Sequence, residues 1–159
     1  VRGPGVTPGY WHDPEATRAA FTANGWFRTG DAGRMSPEGI IYVVDRIKDM
    51  YISGGENVYP AEVEGVIDAL DAVSQCAVIG VPDPKWGEVG LALVVARPGR
   101  QLEPDTVLAH CRERLARFKV PRSVRIVTSL PLSPQGKVLK KELHRLHAED
   151  GACASSKVA

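Results

Sequence analysis

Asp45-Arg46-Ile47-Lys48-Asp49-Met50-Tyr51-Ile52-Ser53-Gly54-Gly55-Glu56-Asn57-Val58, followed by Tyr59-Pro60-Ala61-Glu62-Val63-Glu64, is the stretch around which this chain is organised. It begins where the apolar run Ile40-Ile41-Tyr42-Val43-Val44 stops, so a strand here gives way to water. Four charges fall within the five residues 45–49. Two glycines then permit backbone angles closed to other residues, or close approach of a ligand to the main chain. Pro60 suits the first turn of a helix. Spacing alone reads equally well as a solvated loop between a strand and a helix.

Upstream, residues 1–12 are rich in glycine and proline and do not begin with Met, so the sequence reads as a chain entered partway through. Asp13-Pro14-Glu15 predicts a helix start, with a cap, a first-turn proline and an acid near the positive end of the helix dipole. That helix is expected to run to Phe21 or Ala23 and to stop at Asn24-Gly25. Met35 to Val44, turning at Ser36-Pro37-Glu38-Gly39, reads as a hairpin. This first stretch has too few apolar residues to close a core and is expected to lean on something outside the chain.

Downstream the pattern becomes self-sufficient. Pro60 to Leu70 places Val63, Val66, Ile67 and Leu70 on one face of a helix. Strands are expected at Ser74–Val81, Glu88–Arg97 and Val124–Val127, with a break at Pro82-Asp83-Pro84-Lys85-Trp86-Gly87. Pro104 to Ala116 predicts a helix burying Val107, Leu108, Cys111 and Leu115. Lys137 to Leu146 predicts a last helix with Leu139, Leu143 and Leu146 inward, and Glu149 to Ala159 reads as a disordered tail. The fold class is α+β: a small domain with a three-stranded sheet packed by helices, preceded by a helix and a β-hairpin.

Composition bounds the function. With 159 residues, 43% hydrophobic residues and a net charge of +1, the chain is globular in class. Its near-neutral charge argues against nucleic acid, which needs a basic face. Its apolar runs are too short to span a membrane, and an intracellular, cytoplasmic protein is expected. Cys76, Cys111 and Cys153 are too far apart to suggest disulfides or zinc, and the first two sit in apolar patterns. His144 and His147 sit three apart with no third ligand near, so no metal is expected.

One lysine stands out. In Leu130-Pro131-Leu132-Ser133-Pro134-Gln135-Gly136-Lys137-Val138-Leu139, Lys137 follows a glycine at the expected mouth of the last helix, where the dipole disfavours a cation. A phosphate-binding P-loop would need glycine at Pro131 and Ser or Thr at Val138, so that reading is rejected. Lys140, Lys141 and Arg145 read as a solvated face, able to meet phosphate groups or an acidic partner.

Taken together, Gly25-Trp26-Phe27-Arg28-Thr29-Gly30-Asp31, the stretch Asp45–Asp49 with Ser53–Glu64, and Pro131–Lys137 with Leu139 and Leu143 resemble the C-terminal end of AMP-forming acyl-CoA synthetases. The resemblance runs from about Gly3 to His147 and is closer to the fatty-acid and aryl-acid CoA ligases than to peptide-synthetase adenylation domains. It implies activation of a carboxylic acid with ATP and Mg2+ to an acyl-adenylate, then transfer to coenzyme A. It also implies a split at about residue 45: 1–45 as the tail of a large N-terminal domain, 46–148 as a mobile C-terminal domain. By this resemblance Asp31 grips the ribose hydroxyls, Arg46 is a second nucleotide contact, Lys48 is the hinge, and Lys137 is the catalytic lysine of adenylation. Ser53, Gly54 and Gly55 face coenzyme A after the domain turns, and Trp86, Phe118 and Lys119 lie near its adenine. Val120 stands where some relatives carry a basic phosphate contact. The phosphate loop, the acyl pocket and the magnesium-binding glutamate are absent from this sequence, and the resemblance assigns them to the N-terminal domain as the chain's partner. Two rivals remain: a non-catalytic module that binds a partner or a CoA-like ligand, and a ligase that loads a carrier protein.

Overall fold

A computed structural model describes residues 1–155, with side chains through Glu149. The chain forms two compact units that divide between Lys48 and Asp49, three residues beyond the expected boundary.

In the first unit, α1 (Pro14–Ala20) starts as the sequence dictates: the Asp13 carboxylate accepts the Ala16 N–H at 2.8 Å, and Pro14 opens the first turn. It stops at Phe21, whose backbone is extended and pairs with Phe27. The two rings meet edge to face at 5.2 Å. Strands β1 (Asp31–Met35) and β2 (Ile41–Arg46) form the expected hairpin, turning through Gly39 at φ +83°. Its ladder is longer than the sequence suggested, pairing Asp31 with Arg46 around a bulge between Ala32 and Gly33. No residue from Val1 to Lys48 is buried. Trp11 is 90% exposed, and Met35, Ile41 and Val43 are each about as open at 68–71%. The expectation that this stretch cannot close a core is met.

In the second unit the sheet has five strands, not three. Two were missed: β3 (Tyr51–Ser53) and β4 (Glu56–Val58) are three residues each and turn at Gly54-Gly55, so charge and glycine hid them. Next come α2 (Pro60–Asp68), β5 (Val73–Asp83), β6 (Gly87–Ala96), α3 (Pro104–Arg114), β7 (Ser123–Ile126) and α4 (Lys140–Ser155). The sheet order is β4-β3-β6-β5, with β7 parallel to β6 along Leu91–Val94.

Strand alternation sends successive side chains of β5 and β6 to opposite faces. On one face Val78, Ala92 and Val94 meet Val63 and Ile67 of α2, and Val107 and Cys111 of α3. On the other, Ala77, Ile79, Val81 and Leu91 meet Leu130 and Leu143. Val66, Leu70, Leu108 and Leu115, expected inward, pack only partly buried at the edge of the first cluster. Leu139 and Leu146, also expected inward, are 44% and 40% exposed; Leu139 lies ahead of α4, which begins at Lys140, three residues later than predicted. That helix runs through Ser155, where a disordered tail was expected from Glu149; residues 156–159 of that tail lie outside the described residues.

Tyr51 is 2% exposed, and its ring lies across Gly80 and Gly90, where any Cβ would collide with it. Its hydroxyl is buried with no hydrogen-bond partner among the described residues. Burial, then the charge of Glu88, push its pKa upward. A buried unsatisfied hydroxyl costs about 1–3 kcal/mol. Tyr51→Phe is therefore expected to raise stability by about 1 kcal/mol, read as a higher thermal midpoint; a lower midpoint would show that the hydroxyl contributes to the fold.

Candidate functional site

Within the first unit, Asp31 and Arg46 face each other across the β1–β2 ladder, with Arg46 Nη1 at 3.1 Å from the Asp31 carboxylate. The same guanidinium nitrogen donates to the Thr29 carbonyl at 3.0 Å. Asp31 is held from behind by its own N–H on the Thr29 hydroxyl at 3.1 Å. The Asp31 side chain is 28% exposed and that of Arg46 55%, so both reach solvent. The two residues singled out for nucleotide contact thus sit together, and Arg46 belongs to the first unit rather than the second. Lys48 is exposed in the single 3-10 turn Ile47–Asp49, the stretch where the two units divide.

Within the second unit, Ser53, Gly54, Gly55 and Trp86 come together. Ser53 pairs with Gly87, the Gly54 N–H donates to the Trp86 carbonyl at 2.9 Å, and Ser53 is buried. Gly54 and Gly55 have φ of +61° and +90°, the left-handed region a two-residue hairpin turn demands. The Trp86 ring lies against Gly54 so closely that a Cβ there would fall 2.7 Å from Cε3. Trp86 is nonetheless 45% exposed, with the Lys85 ammonium 5.0 Å from its ring centre. Asp83 shapes this turn: its carboxylate accepts the Trp86 and Lys85 N–H groups, each at 2.9 Å, and those bonds lower its pKa. Asp83 stands directly before the turn, within the break that the sequence reading placed at Pro82–Gly87.

Phe118 and Lys119 lie on a second 3-10 turn, Arg117–Lys119, that packs beside β4. Phe118 is 38% exposed. Lys119, assigned to the coenzyme, has its ammonium held by both oxygens of Glu62, at 2.6 and 2.8 Å. Glu62 was not singled out from the sequence.

Lys137 stands elsewhere. It does not open a helix: Leu132 bridges Val138, the Ser133 N–H donates to the Lys137 carbonyl at 2.8 Å, and Gly136, at φ +77°, closes the turn by donating to Ser133 at 2.8 Å. Lys137 therefore rides on the tip of a small hairpin, and the dipole argument for its unusual position falls away. Its side chain is exposed and its ammonium forms no ion pair or hydrogen bond among the described residues. The neighbouring cations differ. Lys140 is not on a solvated face; it pairs with Glu64 at 2.8 Å with both side chains at most 20% exposed. Arg145 binds Glu142 and Glu149 along its own helix.

Cys76 and Cys111 are free thiols in core surroundings. Burial first, then the Asp68 carboxylate it donates to at 3.2 Å, push the Cys76 thiol upward and keep it protonated. Among the described residues no group of three or more His, Cys, Asp or Glu is placed to hold a metal, and no helix is long and apolar enough to cross a membrane.

The exposed Lys137, the Gly54-Gly55 turn under Trp86 and the five-stranded sheet can now be set beside known proteins. Residues 62–137 match the AMP-binding enzyme C-terminal domain. Its curated relatives include a 3-[(3aS,4S,7aS)-7a-methyl-1,5-dioxo-octahydro-1H-inden-4-yl]propanoyl:CoA ligase of Rhodococcus jostii, 58% identical over 90% of this chain and 28% of that protein. A long-chain-fatty-acid–CoA ligase of Mycobacterium tuberculosis is 51% identical over 87% of this chain and 27% of its own length. Among solved structures, ATP-bound MatB from Rhodopseudomonas palustris superposes with a TM-score of 0.84 at 41% identity, over 92% of this chain and 29% of that one. The chain thus spans less than a third of the proteins it matches.

Proposed function

We propose that this chain is the C-terminal part of an AMP-forming acid–CoA ligase and works only with a large N-terminal domain outside it. The observation that carries the reading is the Lys137 ammonium, presented on an exposed hairpin tip with no partner among the described residues. Among the described residues its ammonium has no ion pair or hydrogen bond, whereas those of Lys119 and Lys140 have theirs. Curated relatives named as acid–CoA ligases or synthases support the reaction class.

In this reading a carboxylate oxygen of the acid attacks the α-phosphorus of ATP, the bond from that phosphorus to the bridging oxygen breaks, and pyrophosphate leaves. Lys137 contributes positive charge where negative charge accumulates between acid and phosphate. Asp31 offers two acceptor oxygens to the ribose hydroxyls, and Arg46 releases part of its pairing to meet the nucleotide. The second unit then turns about Lys48 and presents Ser53, Gly54 and Gly55. The coenzyme A sulfur bonds to the acyl carbon, the acyl–oxygen bond to AMP breaks, and the thiol proton passes to solvent. Trp86 and Phe118 supply apolar surface for the adenine end, with Lys119 beside them. Magnesium is assigned to the N-terminal domain, where it would neutralise phosphate charge; no residue of this chain is given to it. The enzyme is placed in the cytoplasm.

The test is an assay of the full-length protein with a panel of acyl and aryl acids. Acid-dependent exchange of pyrophosphate into ATP, followed by thioester formation on coenzyme A, is expected. A protein that exchanges but loads only a carrier protein would replace the acceptor in this reading; no exchange with any acid would favour a non-catalytic binding module.

A further inference from the structure

We infer that Glu64 and Lys140 form a positioning pair that sets the Lys137 hairpin for adenylation, an inference that rests on the reading of Lys137 given above. The β5 strand is an edge of the sheet, paired only with β6 among the described residues. Its Val78 N–H donates to Glu64 Oε1 at 2.8 Å, and the same oxygen receives Lys140 Nζ at 2.8 Å. Glu64 comes from α2, whose buried face packs on one side of the sheet; Lys140 is the first residue of α4, which supplies Leu143 to the other side. The pair therefore clasps the two layers around an edge strand. Both side chains are largely out of water, at 20% and 17% exposed, where a charge pair is stronger than at the surface.

From the clasp the chain leads straight to Lys137. The Leu139 N–H donates to the Pro131 carbonyl at 2.9 Å, and Val138 pairs with Leu132. Val138 also packs, partly buried, against the apolar layer of Leu130 and Leu143. An open cleft of about 370 Å³ lies beside the hairpin, lined by its Leu132, Gly136 and Val138 and by Asp68 and Cys76 of the body. The deeply buried apolar residues of this layer, Leu130 and Leu143, flank the hairpin rather than belong to its tip. Asp68 is occupied by the Cys76 thiol, so Glu64 is the carboxylate that fixes Lys140. Where apolar packing leaves a gap, a directional ion pair sets the geometry, and a misplacement of about 1 Å costs on the order of a hundredfold in rate.

Glu64→Gln, Lys140→Met and Lys140→Arg in the full-length enzyme test this. Glu64→Gln keeps an acceptor for the Val78 N–H, so the fold survives while the charge is removed. Glu64→Gln and Lys140→Met are expected to lower kcat of pyrophosphate exchange by about ten- to a hundredfold, with KM for ATP and thioester formation from supplied acyl-adenylate within about twofold. Lys140→Arg is expected to restore most of the exchange rate. Equal losses in both half-reactions, tracking a lowered melting temperature, would reduce the pair to a structural tie and overturn the inference, as would an unchanged exchange rate. Lys137→Ala run in parallel separates the two levels. If it leaves exchange intact, the function itself is misread; if it abolishes exchange while Glu64→Gln does not, only the positioning role fails.

Discussion

Replacing Lys137 with alanine in the full-length enzyme lowers adenylate formation about a thousandfold and leaves thioester formation from supplied acyl-adenylate within about twofold. The size follows from charge and distance. A unit charge pair at ~4 Å in an effective dielectric of ~20 interacts by roughly 4 kcal/mol, and about 4 kcal/mol realised only in the transition state is roughly a thousandfold in rate. The selectivity follows from placement: the hairpin tip carrying Lys137 and the glycine turn at Gly54-Gly55 are separate parts of the second unit. The melting temperature should hardly move, because the exposed ammonium has no partner among the described residues to lose. Half-reactions assayed separately decide it, and equal losses in both would remove Lys137 from the chemistry of the first.

Gly54→Ala has the opposite signature. At φ +61° a side chain costs about 1 kcal/mol of backbone strain. The added Cβ would also lie 2.7 Å from Cε3 and 3.1 Å from Cζ3 of Trp86, so the ring must shift. The expected result is a loss of about ten- to a hundredfold in thioester formation, with adenylate formation within about twofold. Gly99→Ala is the control, since Gly99 shares the left-handed geometry, at φ +74°, with nothing within 4 Å of an added Cβ. It should show the strain in its melting temperature and leave both half-reactions alone. If Gly99→Ala slows thioester formation as much as Gly54→Ala does, the Trp86 contact is irrelevant to the coenzyme.

What the sequence disclosed tracks how local the cause is. Asp13-Pro14-Glu15 set its helix start because the cap, the proline and the acid act within one turn. Val63 and Ile67, four apart, both proved fully buried, because one helix face decides them together. Strands β3 and β4 escaped notice because three residues carry too little alternation to be seen beside two glycines. The lysines show the limit for sites. Lys137, Lys140 and Lys141 lie within five residues, and nothing local says which one the fold consumes. That choice belongs to Glu64, on a helix far back in the chain, and it exists only once α4 folds against β5. Lys119 taught the same lesson through Glu62.

The uneven distribution of interior has a consequence for how the polypeptide melts. Every fully enclosed side chain lies at or after Tyr51, and none precedes the peptide bond joining Lys48 to Asp49. The heat-capacity change on unfolding grows with the apolar surface withdrawn from water, so a calorimeter would see that change come almost wholly from the later residues. The opening forty-eight residues would stay silent until a neighbour roofs over their tryptophans and β-branched faces.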